Sequence, residues 1–314
     1  MERLTRKKIV VTGGAGFIGS HLVADLAELK NTVVVIDNLS SGLKKNIHPK
    51  AKFYKTDVRD YKKMAAIFKK EKPSVVFHLA AQPLVDVAYK NPLKTIETNV
   101  MGTVNLLEIC RTMPTIPSVV MVSSDKAYGT AQTLPYTEST ALRGSHPYDA
   151  SKSAADLLTT TYVKTYHMPI VITRFSNVYG PGDTNFSRLI PGVVKAILHN
   201  EEFLIRSDGK MIREYTYVKD ITKGCITLAA RAKELQGEAF NFGSKNIFSV
   251  IEGVEKIQEI LGTKVNYKIL NIAKNEIPAQ YLDWSKAKEK LGWQPTTSFK
   301  EGIEETLDWH RKIS

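Results

Sequence analysis

Two cysteines in 314 residues are too few for a disulfide framework. Both Cys110 and Cys225 fall in apolar helical patterns, so they are expected as buried thiols of a reducing compartment, not as a disulfide or a metal site. Long apolar runs are missing too. None approaches the ~20 residues of a membrane span. The opening stretch MERLTRKKIVVTGG passes from charges straight into a strand pattern, without the apolar core and small-residue site of a secretion signal. A cytoplasmic protein with no membrane partner and no metal is the expectation. Acids are outnumbered, 32 against 44 bases, for a net charge of +12. That balance raises nucleic acid as a partner. Yet no Arg-rich stripe with interleaved aromatics occurs, and the pairs Lys7-Lys8, Lys44-Lys45, Lys62-Lys63 and Lys69-Lys70 are scattered. No nucleic-acid partner is expected, and the basic field would favour capture of a small anion. Internal repeats, low-complexity tracts and free linkers are also lacking.

What is present suits a globular chain. Hydrophobic residues make up 43% of a length that allows one large or two moderate domains. Strand and helix patterns alternate through the first half, which predicts a parallel sheet covered on both faces. Strands are expected over 9–11, 33–36, 53–54, 74–79, 119–122 and 170–172, and helices over 16–29, 61–70, 92–111 and 147–166. A polar loop is expected over 130–145. After Ser176 the texture changes. Gly180-Pro181-Gly182-Asp183 breaks the pattern, and helices are expected over 188–199, 218–231, 250–261, 285–291 and 300–311. The expected organisation is a first domain over 1–175, rejoined by about 216–242, and a smaller mixed α/β domain over 176–215 and 243–314.

Thr12-Gly13-Gly14-Ala15-Gly16-Phe17-Ile18-Gly19 follows the first strand and opens the first helix. Gly13, Gly16 and Gly19 permit a tight turn and close backbone approach, and the helix start at Phe17 and Ile18 offers amides to a pyrophosphate. Asp37 ends the second strand about 20 residues on, where a carboxylate binds adenosine ribose hydroxyls and repels a 2′-phosphate. Strand, spacing and acid together predict a Rossmann-type doubly wound parallel sheet that takes NAD in preference to NADP. Asn38, Asp57, Val58, Leu79, Ala80 and Ala81, at the ends of the next strands, complete this candidate lining. On residue type alone, the 57–58 and 80–81 pairs read equally well as packing.

Ser124-Asp125-Lys126 stands at the carboxyl end of the fifth strand, where open α/β sheets bind ligands. Further on comes Tyr148-x-x-x-Lys152, an i, i+4 pair on one helical face. A phenol has a reference pKa near ~10, and an ammonium beside it favours the phenolate. Tyr148 and Lys152 thus supply a base for a sugar hydroxyl, and Ser124 a hydrogen bond to the same oxygen. Asp125 and Lys126 add an acid and an amine. Redox chemistry needs only the first pair. Both pairs together predict oxidation followed by loss of water.

These motifs resemble the extended short-chain dehydrogenase/reductases that act on nucleotide sugars, and among them are most similar to CDP-glucose 4,6-dehydratases. The resemblance covers almost the whole chain. It is carried by Ala80-Ala81-Gln82-Pro83-Leu84-Val85, Asn91-Pro92, Thr98-Asn99-Val100-Met101-Gly102-Thr103, Ser124-Asp125-Lys126, His146-Pro147-Tyr148 with Ser151-Lys152, Asn177-Val178 and Gly182-Asp183. Arg188-Leu189-Ile190-Pro191, Tyr281-Leu282, Ser285-Lys286-Ala287 and Leu291-Gly292-Trp293 extend it. It implies that Tyr148 deprotonates the sugar C4 hydroxyl as NAD takes the C4 hydride. The new ketone acidifies C5. One of Asp125 and Lys126 takes the C5 proton, the other protonates the departing C6 hydroxyl, and the hydride returns to C6. Asp125 is read as the acid and Lys126 as the base. Many dehydratases carry glutamate at the position of Lys126, so a purely electrostatic role at the enolate stays open.

The resemblance also implies a nucleoside diphosphate sugar as partner, with Asn99 among the cofactor residues and Gln82, Ser124, Asn177, Arg188, Leu189 and Arg213 on the substrate. Arginine forks suit a pyrophosphate. Arg174, at a strand end, reads instead as half of an ion pair, and Asp220 as a helix cap. Tyr179, Phe186 and Tyr217 either stack on a base or pack the interface between domains. A homodimer through the 92–111 and 147–166 helices is implied. The chain is shorter than the family's usual length. Its segment Arg213-Glu214-Tyr215-Thr216-Tyr217-Val218-Lys219-Asp220 also resembles that of other nucleotide-sugar dehydratases and of epimerases. A 4-epimerase of the UDP-glucose type therefore stays open, as do a UDP-N-acetylglucosamine 4,6-dehydratase and a non-enzymatic NAD-binding regulator. The nucleobase is left open as well.

Overall fold

The computed structural model describes residues 4–131, 133–273 and 277–312. Residue 132 of the expected 130–145 loop lies outside the described residues. The chain forms two compact units. The larger comprises Met1–Gln132, Glu138–Arg174 and Thr222–Asn241, and the smaller Thr133–Thr137, Phe175–Ile221 and Phe242–Ser314.

The larger unit is built on a seven-stranded sheet. Its strands are β1 (Lys8–Thr12), β2 (Thr32–Asp37), β3 (Lys52–Lys55), β4 (Val75–His78), β5 (Ser118–Ser124), β6 (Ile170–Phe175) and, after three further strands of the smaller unit, β10 (Ala239–Phe242). The order is β10-β6-β5-β4-β1-β2-β3. The pairs β1–β2, β2–β3, β1–β4 and β4–β5 are parallel, with Ile9 on Val33 and on Val75. The order reverses at β1, the doubly wound arrangement whose ligand crevice lies at the carboxyl ends of the strands. Parallel strands covered on both faces are largely apolar: β1 and β2 are built on valine and isoleucine, and β4 on Val75, Val76 and Phe77. Val10, Val34, Ile36, Val76 and Val119 pack with Met64 and Phe68 of α2 (Tyr61–Glu71) and with Leu106, Leu107 and Cys110 of α5 (Gly102–Arg111).

The remaining helices of this unit are α1 (Phe17–Glu28), α3 (Val85–Lys90), α4 (Pro92–Ile96) and α6 (Pro147–Tyr166). The helix expected over 92–111 differs in its middle. Asn91 caps α4 by accepting the Lys94 amide, and Pro92 opens it. A π-helical turn over Glu97–Met101 then intervenes before α5. The short α3 was not anticipated. Cys110 and Cys225 are both free and buried. Burial pushes the Cys225 thiol up to about 12. No helix among the described residues is long and apolar enough to cross a membrane.

The smaller unit carries β7 (Asn177–Tyr179), β8 (Phe203–Ile205), β9 (Ile212–Tyr217), β11 (Ile247–Ser249), β12 (Tyr267–Ile269) and β13 (Ala279–Gln280). β9 is the centre of a four-stranded sheet with β7, β11 and β13, and β12 pairs with β8. Around it stand α7 (Leu189–His199), α9 (Val250–Leu261), α10 (Ser285–Leu291) and α11 (Phe299–Arg311). The unit boundary falls inside α8 (Val218–Ala230). Aromatic rings fill the small core. Tyr179 meets Tyr217 and Phe299, Tyr215 stacks on Phe248, and Phe242 stands edge-on to Trp293.

Candidate active site

The glycine turn is shaped by close approach. Gly13 has a φ of +74°, and a Cβ there would lie 2.7 Å from the Ala80 amide nitrogen. A Cβ on Gly19 would lie 2.1 Å from the Gly13 carbonyl oxygen. Only glycine satisfies both contacts. α1 begins after Gly16, with no side-chain cap and no acid in its first turn. The opening amides of a helix have no intrahelical acceptor, so those at Phe17 and Ile18 suit an anionic group. Asp37 is buried at the end of β2. Its carboxylate accepts the Ala15 amide at 3.1 Å and the Leu39 amide at 2.8 Å, which fixes it beside the turn. Asn38 donates to Asp57 at 2.8 Å. Burial raises the Asp57 carboxyl, but hydrogen bonds from Arg59 and Asn38 outweigh it and hold the group at about 2. Val58 is buried, and its carbonyl accepts from Asn105. Leu79, Ala80 and Ala81 are half-buried past β4. The tight turn, the uncapped helix start and the fixed acid fit a dinucleotide with free ribose hydroxyls.

The acid and amine stand on a single 3-10 turn, Asp125–Tyr128, directly after β5. Ser124 caps it. Its hydroxyl donates to Asp125 Oδ1 at 3.0 Å and accepts the Lys126 amide at 3.2 Å. Asp125 is 3% exposed and Lys126 half-buried, so neither stands in bulk solvent. α6 lies against this turn. Ser153 Oγ donates to Ala127 O at 2.7 Å and accepts the Gly144 amide at 3.0 Å. Tyr148 and Lys152 are both buried on α6, and Lys152 Nζ donates to Val122 O on β5 at 3.2 Å. Burial lowers the Lys152 ammonium to about 8, against the opposing pull of Asp156.

Beneath these groups runs a buried ion pair. Arg174 donates two hydrogen bonds to Asp156, each 2.9 Å, and a third to Tyr128 Oη, also 2.9 Å. Tyr128 Oη donates to Asn241 at 2.7 Å. The ion pair expected at Arg174 is the one observed, and it joins the 3-10 turn to α6.

Asn99 lies in the π-helical turn, almost fully buried. It accepts the Gln82 amide at 2.7 Å and donates to Gln82 O and to Ser151 Oγ. Gln82 uses its side-chain amide internally. It donates to Leu84 O and Thr95 Oγ1 and accepts the Leu84 amide. Here it shapes the loop after β4.

Within the smaller unit, Asn177 is paired with Tyr215 in the β7–β9 register, two residues along β9 from Arg213. Asn177 donates to Glu214 O at 3.2 Å, and Arg213 is buried. Arg188 donates to Asp183 at 3.0 Å, and Leu189 opens α7. Tyr179 and Tyr217 are buried in the aromatic core, while Phe186 is exposed. The Asp220 carboxylate, expected as a helix cap, takes Thr296 Oγ1 at 2.8 Å and the Thr297 amide at 3.0 Å. Sequence reasoning assigned no role to Ser153 or His78, and used Ser151 only as part of a motif. The available signal was a pair of serines inside a helix and a histidine closing an apolar strand.

A parallel sheet reversing at a glycine turn, with tyrosine and lysine on the helix beside β5, defines a dinucleotide-binding enzyme of the short-chain dehydrogenase/reductase class. The family model for GDP-mannose 4,6-dehydratase matches residues 10–306. A putative UDP-glucose 4-epimerase of Methanocaldococcus jannaschii is 35% identical over 304 residues, 96% of this chain and 97% of that one. The human dTDP-D-glucose 4,6-dehydratase is 32% identical over 323 residues, 98% and 90% of the two chains. Among solved structures, DesIV of Streptomyces venezuelae, a dTDP-glucose 4,6-dehydratase with NAD bound, superposes with a TM-score of 0.89 at 31% identity and 97% coverage of both chains. The chain belongs to the extended, NAD-dependent family of nucleotide-sugar 4,6-dehydratases and 4-epimerases.

Proposed function

We propose that the protein is a nucleotide-sugar 4,6-dehydratase, a hydro-lyase working on a CDP-glucose-like hexose with NAD retained through turnover. The observation that carries this reading is the Ser124-Asp125-Lys126 turn, with a buried acid tied to the serine and an amine beside it. A 4-epimerase has no need of an acid at the C6 end. The larger unit takes the dinucleotide through the glycine turn, Asp37 and the strand-end residues. Asn177, Arg188, Leu189 and Arg213 of the smaller unit take the nucleoside diphosphate. The CDP-glucose assignment rests on the motifs at 80–85, 98–103 and 188–191.

NAD, when bound, supplies the acceptor for the C4 hydride and its later donor to C6. Tyr148 takes the proton of the C4 hydroxyl. Lys152, next to it on α6, favours the phenolate. Ser124 orients the oxygen being oxidised. Asp125 protonates the departing C6 hydroxyl while Lys126 takes the C5 proton or, still charged, stabilises the enolate. The sugar loses one water and keeps its oxidation state, ending as a 4-keto-6-deoxy sugar.

The second reading is the 4-epimerase, favoured by the 35% identical relative that bears that name. Incubation with CDP-, dTDP-, UDP- and GDP-hexoses separates the two. The dehydratase yields a 4-keto-6-deoxy sugar with its alkaline absorbance, fastest on the CDP sugar. Interconversion of C4 epimers without water loss establishes the epimerase, and NAD binding with no conversion establishes a regulator. Asp125→Asn should slow water loss more than the first hydride transfer, as followed by single-turnover absorbance. Equal slowing of both steps would remove Asp125 from its assigned role.

A further inference from the structure

His78 closes β4 and is 3% exposed. Its ring lies between two threonines. Thr12 Oγ1 is 2.7 Å from Nδ1, and Thr103 Oγ1 is 3.2 Å from Nε2. The proton positions follow from what the threonines do elsewhere. Thr103 Oγ1 spends its single proton on Asn99 O at 2.7 Å, so toward His78 it can only accept. Nε2 therefore carries a hydrogen. Burial first, then the charge of Lys152, lowers the imidazole to about 3, so the ring is neutral and Nδ1 is bare. Nδ1 accepts from Thr12 Oγ1, which in turn accepts the Ala80 amide at 3.3 Å.

The line continues past Asn99. Its Nδ2 donates to Ser151 Oγ at 2.9 Å, and Ser151 Oγ donates to Tyr148 O at 2.6 Å. Two hydrogen-bonded runs thus meet at one residue of the π-helical turn. One begins at Ala80, which also crowds Gly13. The other ends on the backbone of Tyr148.

We propose that His78, as the neutral Nε2–H tautomer, is a positioning residue that ties the glycine turn and the loop after β4 to Asn99, and through Asn99 and Ser151 sets the backbone at Tyr148. The consequence for chemistry rests on the reading of Tyr148 as the base; the tautomer does not. Every group in the line has its proton assigned, so removing one member leaves a buried donor or acceptor unmatched on each side.

Two measurements test this. In protein with 15N-labelled histidines, seven in the chain, the His78 ring is identified by its loss in His78→Asn. It should show the Nε2–H pattern from about pH 8 down to about pH 5, where an unperturbed histidine would titrate. An Nδ1–H pattern, or protonation within that range, would overturn the proposal. The second compares Thr103→Val with Thr103→Ser. The valine keeps the shape without the hydroxyl. It should slow the first hydride transfer roughly tenfold, the scale of one lost buried hydrogen bond, with KM for the nucleotide sugar within about twofold, and Ser should restore the rate. Equal behaviour of the two variants, or KM rising in step with the loss of rate, would overturn the positioning role. If the wild-type protein oxidises no sugar, the base reading fails on its own account. The line is then read from the NAD retained per purified chain, lower for Val than for Ser. Equal retention would overturn it.

Discussion

The proposed role of Lys152 beside a phenolate requires its charge, yet it is 8% exposed and held down to about 8 by burial. That conflict makes it a cost to the folded protein without ligand. Between about 8 and the ordinary 10.5 the unfolded chain keeps the proton and the folded chain has lost it. Stability of the NAD-free protein therefore rises with pH across that window. Below it the full penalty applies, roughly 3 kcal/mol for a shift of this size. Lys152→Met should raise NAD-free stability at about pH 7 and flatten the slope between about pH 7 and 10. Urea unfolding of the two proteins across that range checks it, since other titrating groups cancel in the difference. A variant less stable than wild type at neutral pH would show that the ammonium is compensated. Tyr148 and Lys152, like Ser124-Asp125-Lys126, are proposed from their spacing along the chain, and the structure carries each set on one element, α6 and the 3-10 turn after β5. His78 acts through partners 66 and 25 positions away, and no local spacing records such a bond.

Whole elements were legible where burial imposes a pattern. The valine runs of β1, β2 and β4 announce themselves, because a strand buried on both faces demands apolar residues. The π-helical turn over Glu97–Met101 was hidden. It changes the hydrogen-bond spacing within a continuous helical pattern and leaves composition unchanged. Most strands of the smaller unit were hidden for the opposite reason. β7, β8, β11 and β12 have three residues each and β13 has two, too few for a period-two alternation to stand out. Helices that were read correctly can still present an unexpected face. Leu93, Ile96 and Met101 of the 92–111 segment are 66%, 46% and 49% exposed, and Leu157 of α6 is 54% exposed. These four exposed apolar side chains support the homodimer that the resemblance implies through these helices. Leu93→Glu combined with Leu157→Glu should convert the dimer to monomers in sedimentation velocity, with the circular dichroism spectrum unchanged. Wild-type protein sedimenting as a monomer at micromolar concentration would dismiss the surface as an interface.

At the scale of the whole molecule the excess of bases is the property left to explain. The surplus of 44 over 32 is spread along the chain and not gathered into a stripe. A diffuse positive field acts on approach, not on chemistry, because exposed charges are screened within about 8 Å at physiological salt and reach about 30 Å only at ~0.01 M. A nucleoside diphosphate sugar carries its charge on the pyrophosphate, so the field should speed its encounter with the protein. Raising ionic strength from ~0.01 to ~0.15 M should then lower the association rate constant of the nucleotide sugar several-fold, while kcat at saturation stays unchanged. Stopped-flow binding and steady-state turnover over the same salt series check both halves. A salt-independent association rate would mean that the lysines serve solubility alone. A kcat that fell with salt would mean that the charges act inside the site, where Lys126 of the 3-10 turn and Lys152 of α6 are the amines proposed to stand beside the acid and the base.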